Sequence, residues 1–62
     1  MKLREARNKR KLTQDRLSEL SGVPQGVISR IERGLVKNPE FRQIKLLCGV
    51  LRVRLDEVEI GE

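Results

Sequence analysis

The stretch Thr13–Gly34, TQDRLSELSGVPQGVISRIERG, decides the fold. Thr13 is a good N-cap, its hydroxyl placed to accept a bond from an unpaired amide of the first helical turn. Between Gln14 and Ser21, the residues Leu17, Leu20 and Ser21 share one face at helical spacing. Gly22 comes where a left-handed residue ends a helix without a Cβ clash. Pro24, its φ held near the helical value, opens a second helix whose Val27, Ile28 and Ile31 point inward. Gly34 ends that helix. Ser18 is small where the two helices must cross, and Gly22 sits four residues later in the bend. The same spacing leaves Gln25, Gly26, Ser29 and Arg30 facing outward.

Before this pair, Lys2 to about Arg10 reads as a helix with a thin apolar face of Leu3 and Ala6, one that tertiary contacts must hold. After it comes a proline-ended loop, Leu35-Val36-Lys37-Asn38-Pro39. Two adjacent apolar residues in such a loop either rim a partner surface or fold back; the preferred reading is that one returns to the core. Glu40 to Leu51 reads as the next helix, with Phe41, Ile44, Leu47, Cys48 and Leu51 as its inward stripe and Leu46 off it. Cys48 in that stripe is read as a core thiol. Gly49 inside the helix costs roughly 1 kcal/mol relative to alanine, and with Leu46 and Val50 beside it either permits close approach of another chain or is simply tolerated. Leu55 to Val58 makes a short last helix, and Gly61-Glu62 should fray.

The chain has 62 residues, which bounds it to one domain, residues 1–62, near the lower limit for folding without staples. A single cysteine and no histidine exclude an internal disulfide and a zinc finger, so packing alone must hold the fold. No apolar run approaches the roughly 20 residues of a membrane span, and no signal pattern opens the chain, so a cytoplasmic protein without a membrane partner is expected. The net charge of +5 is unevenly spread. Met1–Leu12 holds six basic residues against one acidic, whereas Arg52–Glu62 holds two basic against four acidic. A basic end opposite an acidic tail suits a protein with one face on a polyanion, although charge alone does not separate DNA from RNA or anionic lipid.

The helix pair is a helix-turn-helix candidate, and its residues resemble a known family. Leu12-Thr13-Gln14, Leu17, Gly22-Val23, Ile28-Ser29-Arg30-Ile31-Glu32 and Arg33-Gly34 resemble the Cro/repressor-type (Xre-like) helix-turn-helix DNA-binding family. Asn38-Pro39 and Leu55-Asp56-Glu57 match its later landmarks, so the resemblance runs from Leu3 to Val58. It implies an all-α, lambda-repressor-like bundle of about five short helices whose motif helix, about Pro24 to Arg33, lies in the major groove of duplex DNA. The resemblance puts Gln25, Gly26, Ser29 and Arg30 at base edges, where glutamine bonds adenine at two points and arginine reads guanine. Many relatives carry a longer polar side chain at the Gly26 position. Its absence either lets the backbone approach a base or removes a specificity contact, and the second is the preferred reading. Gln14 matches a phosphate-clamping position, with Arg33, Lys37 and Asn38 as further phosphate contacts. In the family an arginine at the Arg7 position pairs with a glutamate at the Glu32 position. Lys11 and Arg52 stand where relatives usually have helix-ending glycines. Relatives often dimerise through the loop after the recognition helix and the C-terminal segment, which selects Leu35, Val36 and Val53.

The expected function is a sequence-specific DNA-binding transcriptional regulator, a repressor, acting as a homodimer on a palindromic operator. The alternatives are a helix-turn-helix protein-interaction or bridging module, or the antitoxin-type DNA-binding partner of another protein. An enzyme is rejected, since no nucleophile stands beside a base and no metal-ligand cluster is present. No cofactor and no small-molecule ligand are expected.

Overall fold

Four α-helices carry the chain: α1 (Leu3–Lys9), α2 (Gln14–Ser21), α3 (Gln25–Glu32) and α4 (Phe41–Leu51), followed by a 3-10 turn at Leu55–Glu57. The computed structural model describes residues 1–36 and 39–59. Among them, no helix is long and apolar enough to cross a membrane. The expected fifth helix is therefore a correction: only three residues turn. Val58 is already extended (φ −105°, ψ 127°), because Glu59 beside it pairs with Lys2 in a parallel bridge and a helix cannot propagate into that geometry.

The helix ends follow from local chemistry. Glu5 in the first turn of α1 accepts from the Lys2 amide at 2.7 Å, and Thr13 Oγ1 accepts from the Arg16 amide at 3.0 Å to cap α2. Pro24 is the N-cap of α3 (φ −55°, ψ 141°), one residue before the helix proper. At the other ends, all four helices close in left-handed turns, α2 at Gly22. In α3 the turn residue is Gly34, with the Leu35 amide donating back to the Arg30 carbonyl at 2.9 Å. In α1 and α4 it is Lys11 (φ 56°) and Arg52 (φ 58°), with return bonds Leu12 to Arg7 at 3.2 Å and Val53 to Cys48 at 3.1 Å. Side chains with a Cβ rarely sit there, so these two ends are strained where a glycine would not be.

The core gathers around α2. Leu17, Val23, Ile28, Leu47 and Leu51 are its fully buried side chains, joined by Leu3, Ala6, Ile31, Ile44, Cys48 and Val58. Helix α2 packs on both α3 and α4, while α1 packs on α3. Val23 plugs the α2–α3 turn, and that turn is wired: Ser18 Oγ donates to the Val23 carbonyl at 2.6 Å, and the Val23 amide donates to Ser21 Oγ at 3.1 Å. Gly22 (φ 81°) makes the bend.

Two expected core positions are exposed. Phe41 is 66% accessible, because the buried stripe of α4 begins one turn later, at Ile44. Leu20 is 47% accessible: α2 buries Leu17 and Ser21, and Leu20 falls at the edge of that face. In the loop after α3, Val36 packs against the core whereas Leu35 stays exposed.

Candidate nucleic-acid interface

Helix α3 turns Ile28 and Ile31 into the core, and this rotation places Gln25, Gly26 and Arg30 in solvent, with Ser29 half-buried beside them. Nothing lies within 4 Å of the position a Cβ would take on Gly26, so the protein's own packing does not require glycine there.

Behind this face runs a line of hydrogen bonds that starts at a charge. The Glu32 side chain has no exposed surface. Arg7 meets it fork to fork, Nε donating to Oε2 at 2.7 Å and Nη2 to Oε1 at 3.0 Å, while Nη1 donates to the Leu12 carbonyl at 2.7 Å. Arg4 adds a longer contact, Nε to Oε1 at 3.6 Å. Gln14 Nε2 donates to the same Oε1 at 3.0 Å, and Gln14 Oε1 accepts from Gln25 Nε2 at 2.7 Å. Burial pushes the Glu32 carboxyl up, but the hydrogen bonds from Arg7 and Gln14, with the charges of Arg7 and Arg4, outweigh it and hold it below the usual carboxylate range. The hydrogen bond to Glu32 in turn raises the Arg7 guanidinium.

The ionised carboxylate settles the direction of everything beyond it. A carboxylate only accepts, so Gln14 must present its NH2 to Glu32 and its oxygen to Gln25. Gln25 then spends one N–H on Gln14 and keeps its carbonyl and second N–H for whatever lies in front of α3. Arg7 and Glu32, which the resemblance pairs, and Gln14 and Gln25, expected separately, thus form one connected unit across α1, α2 and α3. The two links through Gln14 were not readable from spacing, because each joins two different elements.

Of the other expected site residues, Arg33 is exposed at the C-terminal end of α3. Lys37 and Asn38 lie outside the described residues. Val53, like Val36, is partly buried against the core, and Leu35 is 60% accessible. Two contacts carry no sequence signal: Arg4 on Glu32, and Arg10 Nε donating to the Leu51 carbonyl at 3.1 Å. Cys48 is buried, and burial first, with the Glu57 charge second, pushes its thiol up, away from the reactive thiolate.

A family model described as helix-turn-helix matches residues 3–58. The chain is 45% identical over 51 residues to a Bacillus subtilis (strain 168) protein described as an uncharacterized HTH-type transcriptional regulator, RghRB. That match covers 82% of this chain and 37% of the relative, so the chain spans little more than a third of that protein's length. No solved structure matches the chain.

Proposed function

Because the chain belongs to the Xre/Cro-like helix-turn-helix family, we propose that it is a sequence-specific double-stranded-DNA-binding transcriptional regulator, a repressor, that binds a palindromic operator as a homodimer. The observation that carries this reading is the preset Gln25. Its amide is already turned by Gln14 and Glu32, leaving one acceptor and one donor free. That pair matches adenine N6 and N7 in the major groove, where a bidentate contact discriminates by roughly 1–3 kcal/mol. Preorganisation means that little side-chain freedom is lost on binding. Arg30, one turn along and exposed, reaches for guanine, and Ser29 between them takes either base. Gly26 offers no side chain, so base reading rests on few residues. Arg33 holds phosphate.

One such domain reads few base pairs, so two copies on a two-fold operator supply the rest, with half-site centres about 34 Å apart. Leu35 offers the free apolar surface for that contact, Val36 and Val53 mostly facing their own core.

Selection from a random duplex pool at near-physiological salt tests the proposal. The expected product is an inverted repeat with an adenine in each half-site that Gln25→Ala no longer prefers, at a loss of roughly 1–3 kcal/mol. Gln14→Ala, which leaves Gln25 unheld, should relax the same base position. Arg33→Ala should weaken all sequences alike and lower the salt slope by about 1. A pool that returns no enriched sequence overturns the reading.

A further inference from the structure

The outward face of α4 takes no part in the DNA-reading unit. Arg42, Lys45, Leu46 and Gly49 lie at positions i, i+3, i+4 and i+7, with Val50 next, and together they line an open groove of about 540 Å³. Four residues at this spacing are the hole into which a facing helix inserts one side chain. Leu46 is 45% accessible. Gly49 has nothing within 4 Å of where its Cβ would be, so the fold does not require glycine there, and glycine weakens a helix interior relative to alanine. A glycine that costs stability and serves no internal contact leaves the groove floor open to a close neighbour.

Charge identifies the neighbour. Arg42 and Lys45 rim the groove, both are exposed, and neither meets a carboxylate among the described residues. Two copies of this groove packed on each other would bring four cations together around an apolar floor. A helix with glutamates or aspartates flanking a leucine-sized side chain neutralises the rim and fills the hole. We propose that this face of α4 docks an acidic amphipathic helix of a partner protein, one bulky apolar side chain seated over Gly49 between Leu46 and Val50.

The test is a titration of the isotope-labelled full chain with a synthetic helical peptide carrying leucines on one face flanked by glutamates, and with the same peptide carrying lysines instead. The expected result is saturable amide shifts at Arg42, Lys45, Leu46, Gly49 and Val50 with the acidic peptide alone. Lys45→Glu should weaken binding about tenfold, and Gly49→Leu should abolish it while the amides of Leu17 and Ile28 stay in place. Should Gly49→Leu disturb those core signals, Gly49→Ala replaces it, with weaker binding expected. The proposal is overturned if neither peptide saturates, if both bind alike, or if the shifts centre on Gln25 to Arg30. Groove amides that move with protein concentration alone also overturn it, by making a second copy the occupant.

Discussion

Glu32 keeps its charge without exposed surface because Arg7 and Gln14 donate to it directly and Arg4 lies close by. Removing the charge would strand Arg7, so Glu32→Gln should destabilise the fold by about 3 kcal/mol in urea titrations. The pH dependence has a definite sign. The carboxyl is held below its ordinary value, so its stabilisation is complete above the unfolded-state pKa of about 4.3 and is lost as pH falls through the lower folded value. Thermal melts from neutral to strongly acid pH should show that loss, and the Glu32→Gln variant should lack this component. Lys11 presents the opposite case, a residue that costs stability. Relief of a left-handed cost of about 1–2 kcal/mol, less the extra freedom glycine has when unfolded, makes Lys11→Gly stabilising by about 0.5–1 kcal/mol. A lower urea midpoint for this variant would show that the Lys11 ammonium contributes more than its backbone loses.

At the level of elements, two glycines show how position sets the sign of one substitution. Gly22 ends α2 with φ 81°, so Gly22→Ala should destabilise by about 1 kcal/mol or more. Gly49 lies inside α4 with helical geometry and open space around it, so Gly49→Ala should stabilise by about 0.5–1 kcal/mol. Melting both variants checks the pair. The helices were legible because caps and turns are local: Thr13, Gly22, Pro24 and Gly34 announce boundaries within a residue or so. Burial was legible along the middle of each apolar stripe and not at its edges. Phe41 and Leu20 fit the spacing, but Phe41 lies one turn before the first buried residue of α4, Ile44, and Leu20 lies beside a face that buries Leu17 and Ser21. Spacing carries no record of where a covered stripe ends. The site divided the same way. The outward direction of Gln25 and Arg30 followed from the inward direction of Ile28 and Ile31. The bond between Gln25 and Gln14 depends on how far apart α2 and α3 sit.

At the scale of the whole molecule, α2 is the member that both α3 and α4 lean on, while α1 packs on α3. The outward N-terminal end of α3 and the α4 groove therefore sit on two elements joined through a third. The first and last of the described residues also meet: Lys2 bridges Glu59, and the Glu59 amide donates to the Met1 carbonyl at 2.8 Å. Joining positions so distant in sequence costs loop-closure entropy that grows with the logarithm of the separation, which the few polar contacts of Met1 and Lys2 with Glu57 and Glu59 cannot offset unaided. The clasp between the ends can close only on a core already assembled, so it forms last and opens first. In deuterium exchange, the Glu59 amide should therefore release its proton through a partial opening that leaves the Leu17 and Ile28 amides protected, and it becomes a gauge of how far the molecule loosens before it unfolds.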